Sequence, residues 1–216
     1  MKRPLAATML LLLSGCSEGG EPGTTSLDPD LPMVERCLVR LHGKGGKGAE
    51  PLYLADGTRV ISPEGNGSGW GGREWRYFPE ARFEDARELV QEASAGCRRV
   101  IINGFSNGGA FAAKLYCSGE TLGGRLVGVV VDDPVPDHAA DACAPASGID
   151  LTLYWTGALD ASSKPGTRCS AIGWTCEGSE TIGIEAFAES MGVSWIESPF
   201  REHQWYLDAP ELMDWD

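Results

Sequence analysis

Histidine, basic residues and long apolar runs are all scarce in this sequence. It has three histidines in 216 residues and shows neither C-x-x-C nor H-x-x-x-H spacing, so we expect no metal site. Lys and Arg number 18 against 31 Asp and Glu, and the net charge of −13 repels phosphate backbones, which excludes nucleic acid as a partner. The apolar stretch at residues 5–13 is too short to cross a membrane, and there are no internal repeats.

The N-terminal region has the pattern of an export signal followed by a tether. Two basic residues precede the apolar stretch, which ends in Leu-Ser-Gly-Cys16. This ending resembles the lipobox of bacterial lipoproteins, and the resemblance implies a signal peptide at 1–15 and acylation of Cys16. An ordinary secretory signal that contains a cysteine is the alternative. Residues 16–36 are mostly polar and contain Gly and Pro, which predicts a flexible tether before a domain at 37–216.

Either kind of signal implies export to an oxidising compartment. The lipoprotein resemblance implies a lipid-anchored protein of the bacterial cell envelope, and Ser17 in place of an aspartate favours the outer membrane. The lipid would be the only membrane contact, with each buried methylene contributing about 0.8 kcal/mol. Removal of the signal takes away Lys2 and Arg3, which changes the net charge from −13 to −15.

Six cysteines remain when Cys16 is set aside. An even number in an exported chain predicts disulfide bonds, although six cysteines allow 15 pairings. Six buried free thiols are the alternative.

Strands and helices alternate along the predicted domain. Short apolar or β-branched runs predict six strands, at residues 37–41, 59–63, 99–102, 126–131, 151–155 and 193–196. Apolar residues at three- and four-residue spacing predict helices at 83–95, 110–117 and 184–191. The alternation predicts one α/β domain with a parallel sheet built from βαβ units.

The motif Gly-Phe-Ser106-Asn-Gly lies between a predicted strand and a predicted helix. This arrangement is a nucleophile elbow, in which a sharp turn presents the serine hydroxyl and small neighbours avoid clashes. With 29 glycines in the chain the motif alone is weak, and the flanking strand and helix supply the support. Ser106 is therefore the candidate nucleophile; a solvated serine in a glycine-rich turn is the alternative.

A nucleophilic serine needs a base, and the base needs an acid that orients it. His203 follows the last predicted strand, where a parallel sheet brings its loop to the same edge as the elbow. Asp160, after the fifth predicted strand, is the candidate acid, and Asp132 and Asp133 at the end of the preceding strand are the alternatives. His42 lies in a glycine-rich turn, which we expect it to orient.

Three features together resemble the α/β-hydrolase superfamily. They are the order Ser106…Asp160…His203, the sequence Leu-His-Gly-Lys44-Gly, and the elbow Gly-Phe-Ser-Asn-Gly-Gly. The elbow is similar to those of carboxylesterases, dienelactone hydrolases and polyester or feruloyl esterases. The resemblance covers nearly the whole predicted domain and implies a minimal fold of about six mostly parallel strands with helices on both faces. It also implies catalysis without a cofactor, and an oxyanion hole formed by the backbone N–H groups of Asn107 and Lys44.

The chain departs from the superfamily in two ways. The first two strands of the usual eight-stranded sheet have no counterpart, and no helical insertion between residues 132 and 150 would form a cap. We therefore expect an open site, with walls from the loop at 157–178 and from Trp70, Trp75 and Tyr77. For these aromatic residues ordinary core packing is the more common role, and a substrate wall is the alternative.

The strand order of the superfamily also implies a disulfide pairing. It places the strands at 37–41 and 99–102 side by side, and the implied pairs are Cys37–Cys97, Cys117–Cys143 and Cys169–Cys176.

The sequence thus predicts a secreted, lipid-anchored, monomeric serine hydrolase. It would cleave small or polymeric carboxylic esters through an acyl-enzyme on Ser106. A non-catalytic binding lipoprotein on the same fold is the first alternative. A serine peptidase or an acyltransferase with the same three side chains is the second.

Overall fold

A seven-stranded, mostly parallel sheet forms the centre of the molecule. The computed structural model describes residues 33–169, 180–213 and 215, all within the unit Leu31–Asp216. The strands are β1 (Val34–Leu41), β2 (Ala49–Tyr53), β3 (Arg59–Ser62), β4 (Gly67–Gly69), β5 (Gly72–Glu74), β6 (Cys97–Phe105), β7 (Leu126–Asp132), β8 (Asp150–Trp155) and β9 (Ile196–Glu197). The helices are α1 (Glu80–Ala93), α2 (Asn107–Cys117) and α3 (Ile184–Met191).

The strand order of the main sheet is β2-β3-β1-β6-β7-β8-β9. Only β2 runs antiparallel to its neighbour, so the predicted α/β class with a mostly parallel sheet is confirmed. Since β6 occupies the middle of the order, its carboxyl end is flanked by those of β1 and β7. A loop that leaves any of these three strands therefore begins beside the others.

The sequence patterns missed three strands. Strand β2 is an exposed edge strand, and β4 and β5 form a separate two-stranded sheet in a glycine-rich stretch. Strand β9 is only two residues long, whereas the sequence predicts a strand at 193–196. The last residues of the predicted tether enter the sheet, because β1 begins at Val34. The predicted signal peptide and Cys16 lie outside the described residues.

The two faces of the sheet are covered differently. Helices α1, α2 and α3 contribute their buried side chains to one large core, which includes Phe83, Phe111 and Phe187. In the described residues the opposite face is covered instead by the segment around the 3-10 turn Ala209–Leu212 and by Met213. The sequence predicts helices on both faces. That expectation differs from the structure because the described segment that covers the second face forms only a 3-10 turn.

Disulfide bonds link elements at two places in the described chain. Cys37 and Cys97 join β1 to its neighbour β6, with Cα atoms 5.9 Å apart. Cys117, the last residue of α2, is bonded to Cys143. Both are pairs that the sequence predicts. Cys169 is also disulfide-bonded, and Cys176, its predicted partner, lies outside the described residues.

None of the helices that the structure describes combines the length and the apolar character needed to cross a membrane.

Candidate active site

Ser106 occupies a sharp turn between β6 and α2. Its φ of 55° and ψ of −118° belong to a region that a residue with a side chain seldom adopts. The flanking glycines make the turn possible. A Cβ on Gly104 would lie 2.1 Å from the carbonyl oxygen of Gly108, and a Cβ on Gly108 would lie 2.1 Å from that of Leu41. The elbow predicted from G-x-S-x-G thus has the tight geometry that the motif requires.

His203 lies between Ser106 and an aspartate. Its Nε2 is 2.9 Å from the Ser106 Oγ, and its Nδ1 is 2.5 Å from Oδ2 of Asp133. With Nδ1–H donating to the carboxylate, Nε2 carries the lone pair that can accept the serine proton. The three side chains therefore form one continuous hydrogen-bonded series.

Asp133 follows β7 directly and is fully buried. Its Oδ1 accepts a hydrogen bond from the backbone N–H of Thr156 at 3.0 Å, and its Oδ2 accepts one from the Thr156 hydroxyl at 2.8 Å. Thr156 is the first residue after β8, so two neighbouring strand ends hold the carboxylate in place. Sequence reasoning did not single out Thr156. The only signal was that it follows a predicted strand whose carboxyl end lies at the same edge of the sheet as the elbow.

Asp160, the acid that the sequence favours, is not the partner of His203. It is exposed, and its Oδ1 accepts a hydrogen bond from the Trp155 indole at 2.9 Å within its own turn. Asp133 directly follows β7, the neighbour of β6, and Thr156 holds its carboxylate towards His203, whereas the carboxylate of Asp160 is engaged by Trp155. The acid that lies next to the elbow is therefore Asp133, which the sequence left as an alternative.

Lys44 and Asn107 lie beside the nucleophile, as the oxyanion prediction requires. Both line a cleft of about 130 Å³ together with Ser106 and His203. Within the described chain, neither backbone N–H of Lys44 or Asn107 is engaged in a hydrogen bond. The side chain of Asn107 is buried and pairs with both backbone groups of Trp75, at 2.7 and 3.0 Å, which fixes the start of α2.

His42 holds the turn that contains Lys44. Its Nδ1 donates to the carbonyl of Gly43 at 2.8 Å, and its Nε2 accepts from the N–H of Gly65 at 3.2 Å. These partners require the neutral imidazole, and burial lowers the pKa of His42 accordingly. His138, the remaining histidine, pairs with Asp141 at 2.8 Å outside the cleft.

One predicted aromatic wall lines the cleft and two do not. Trp70 is 63% exposed and lines the cleft, with the Lys44 ammonium 4.9 Å from its ring centroid. Trp75 and Tyr77 are fully buried and stack on Phe111 of the core. Of the predicted loop wall at 157–178, residues 157–169 do not line the cleft and residues 170–178 lie outside the described chain.

A larger cleft, of about 550 Å³, lies on the face of the sheet that the segment around the 3-10 turn Ala209–Leu212 covers. Its walls include Leu38, Leu54 and Trp215, and none of the three hydrogen-bonded side chains reaches it. The smaller cleft at Ser106 is the one that contains the reactive side chains. In the described residues no group of three or more His, Cys, Asp or Glu side chains could hold a metal ion.

Comparison with known proteins rests on structure alone. No protein-family model and no curated protein sequence matches the chain. Among solved structures, a carboxylesterase of Bacillus cereus is similar at 20% identity, covering 84% of this chain and 86% of that one, with a TM-score of 0.55. A protein of unknown function from Agrobacterium tumefaciens has 16% identity, coverage of 84% and 89%, and a TM-score of 0.47. An esterase of Pyrococcus furiosus has 12% identity, coverage of 77% and 76%, and a TM-score of 0.44. At 20% identity the first likeness shows the fold alone.

Proposed function

We propose that this chain, whose fold is that of the α/β hydrolases, is a serine hydrolase that cleaves carboxylic esters. The observation that carries the proposal is the hydrogen-bonded series of Ser106, His203 and Asp133. A scaffold that only binds a ligand has no need to place an imidazole 2.9 Å from a serine in a strained turn.

The reaction proceeds in two stages. The Ser106 Oγ attacks the ester carbonyl carbon while its proton passes to the His203 Nε2, and Asp133 stabilises the imidazolium. The tetrahedral intermediate then expels the alcohol, which takes the proton from Nε2 and leaves the acyl group on Ser106. In the second stage a water molecule gives its proton to Nε2, attacks the acyl carbon and releases the carboxylic acid, and the proton returns to Ser106.

The backbone amides of Asn107 and Lys44 would stabilise the oxyanion. Both residues line the cleft beside Ser106 and have no other backbone partner in the described chain. Each such donor contributes on the order of 3 kcal/mol in the transition state. A preorganised Lys44 amide needs the turn that His42 fixes.

The size of the cleft favours short acyl groups. Its volume of about 130 Å³ is well below the roughly 300–1,000 Å³ of pockets that bind drug-sized molecules. An acetyl or butyryl group fits this space, whereas a long chain extends out past Trp70. We therefore propose small esters as substrates, and polymeric esters only where their acyl unit is short.

The location of the protein is a separate proposal that rests on the sequence. Export, acylation of Cys16 and attachment to the cell envelope follow from the lipobox resemblance, and Cys16 lies outside the described residues. Labelling with an alkyne-bearing fatty acid should mark the wild type and not Cys16→Ala.

A fluorophosphonate probe tests the function, because it reacts only with an activated serine. It should label the wild type and a Ser190→Ala control, whose exposed serine lies in α3, but not Ser106→Ala. Hydrolysis of nitrophenyl esters should follow the same pattern and fall as the acyl chain lengthens. Labelling of Ser106→Ala, or no labelling and no hydrolysis by the wild type, would contradict the proposal and favour a binding protein.

A further inference from the structure

The segment that carries His203 has no regular secondary structure. It runs from Glu197, the end of β9, to the 3-10 turn that begins at Ala209. Within the described chain, residues 199–205 make no backbone–backbone hydrogen bond. Side chains must therefore hold the imidazole, and a displacement of about 1 Å at such a site costs on the order of 100-fold in rate.

Trp205 attaches this segment to β6. Its indole N–H donates to Oδ1 of Asn103 at 2.7 Å, and Asn103 is fully buried. The indole ring is stacked on Phe105 with a centroid distance of 5.7 Å, and Phe105 is stacked in turn on the imidazole of His203 at 4.5 Å. The position of Trp205 thus helps to set the position of the His203 ring.

Tyr206 attaches the segment to β7. Its backbone N–H donates to Oδ2 of the fully buried Asp132 at 2.5 Å, and its ring meets the edge of Tyr154 at 5.2 Å. Asp132 is the residue before Asp133, which accepts the hydrogen bond from His203. Two adjacent residues therefore hold both the imidazole and the backbone three residues beyond it.

Stability does not explain why positions 103 and 132 carry polar side chains. Ile101 and Val130 are buried on the same face of the same strands and pack as apolar residues. In the described chain, Nδ2 of Asn103 and Oδ1 of Asp132 are buried without a hydrogen-bond partner. Each such group costs about 1–3 kcal/mol. Burial also raises the pKa of Asp132, to about 7, so its ionised form is disfavoured.

We propose that Asn103 and Asp132 are positioning residues that hold His203 in register with the serine and its acid, an inference that rests on the proposed function. Together with Trp205 and Tyr206 they form what we call the histidine latch. The latch contacts no substrate and acts only by fixing the segment that carries the imidazole.

Three variants test the latch. Trp205→Phe keeps an aromatic ring against Phe105 but removes the donor to Asn103. Asp132→Val removes the acceptor for the Tyr206 N–H, whereas Asp132→Asn keeps an acceptor oxygen. We expect the first two to lower kcat for a short nitrophenyl ester roughly 10- to 100-fold with KM within about twofold, and Asp132→Asn to stay within about threefold of the wild type.

Val60→Ala is the matched control, because it removes buried apolar volume from the same sheet face on β3, two strands away from Asn103. It should reduce stability and leave kcat nearly unchanged. If it lowers kcat as much as Asp132→Val does, the effect belongs to general packing and the latch is refuted. If Asp132→Val does not fold, the kcat of Trp205→Phe decides the matter.

A spectroscopic readout separates the latch from the proposed function. The hydrogen bond from Nδ1 of His203 to Asp133 should give the wild type a far-downfield proton resonance, which needs no turnover. The resonance should be lost or broadened by exchange in Trp205→Phe and Asp132→Val and retained in Val60→Ala. An unchanged resonance with kcat within twofold in both latch variants would overturn the proposal. If the wild type hydrolyses no ester, the proposed function fails and the resonance alone decides the latch.

Discussion

Asp133→Asn is the most informative single change, because the sequence and the structure name different acids. The wild-type carboxylate accepts hydrogen bonds from the Thr156 backbone, the Thr156 hydroxyl and the His203 imidazole. In the variant the amide oxygen can still accept from the Thr156 N–H, and the amide nitrogen then faces Nδ1. The amide nitrogen cannot accept a hydrogen bond from Nδ1–H, so the tautomer with the hydrogen on Nε2 is favoured and Nδ1 accepts from the amide instead. In this tautomer Nε2 has no lone pair for the Ser106 proton.

The size of the effect follows from the wrong tautomer. A change of this kind costs about 10⁴-fold in kcat, which corresponds to about 5.4 kcal/mol at about 1.36 kcal/mol per factor of ten. The amide has the size of the carboxylate, and the Thr156 hydroxyl can accept from its nitrogen. The free energy of unfolding should therefore change by no more than about 1 kcal/mol.

The assay is hydrolysis of a short nitrophenyl ester, with thermal unfolding measured on the same preparations. Asp160→Asn is the matched control, because it makes the same chemical change at another aspartate. Asp160 is exposed, and among the described contacts it forms hydrogen bonds only within its own turn. It should keep activity within about twofold. A loss below tenfold in Asp133→Asn, or a loss above about 10³-fold in Asp160→Asn, would refute the assignment of the acid.

Three further outcomes follow from the fold. Gly108→Ala should abolish activity and lower stability, because its Cβ would lie 2.1 Å from a backbone oxygen, whereas Gly96→Ala meets nothing closer than 3.8 Å and should be tolerated in unfolding and activity assays. Burial raises the pKa of Asp137 to about 7 from 3.8, so the unfolded state loses a proton between pH 4 and 7 that the folded state keeps. Stability should fall over that interval by up to about 4 kcal/mol through this group, and denaturant titrations of Asp137→Asn should lack that part of the fall. Replacement of both Cys37 and Cys97 by Ala should lower the free energy of unfolding by about 4 kcal/mol, given the sequence separation of 60, without reducing kcat.

Local sequence was enough to predict the elbow and its serine. The glycines that surround Ser106 are required by contacts with residues close in the chain and with one neighbouring strand, so the motif contains most of the information. The position of His203 was predictable for a related reason, because any loop after a parallel strand emerges at the same edge.

The acid depended on information that the sequence does not carry locally. Asp133 and Asp160 both follow apolar strands, and both stand in turns. They differ in tertiary contacts that no local pattern shows, since Thr156 and His203 bind the carboxylate of Asp133 and the Trp155 indole binds that of Asp160. The latch residues were hidden for the same reason, since Asn103 lies 102 residues from the Trp205 indole that it binds.

Two further features of the fold have a common cause. Trp75 and Tyr77 have the composition of a substrate wall, yet they fill the core because Phe111 of α2 provides a ring to stack on. The face without α-helices was unexpected because residues 205–213, which cover part of it, form little regular structure and show no helical periodicity. Tertiary contacts decide such segments, and composition does not.

The placement of Asp133 after β7 affects the freedom of the chain beyond β8. Thr156 is the last residue there that touches the hydrogen-bonded series in the described chain, and residues 158–169 line no part of the cleft at Ser106. This stretch nevertheless starts at the same edge of the sheet as the nucleophile. Ser163 and Cys169 of this stretch are buried, but its exposed part at residues 164–166 can change while the reacting groups stay in place. For protein engineering, it is the position at which a grafted loop would alter which esters reach the serine and leave the chemistry itself unchanged.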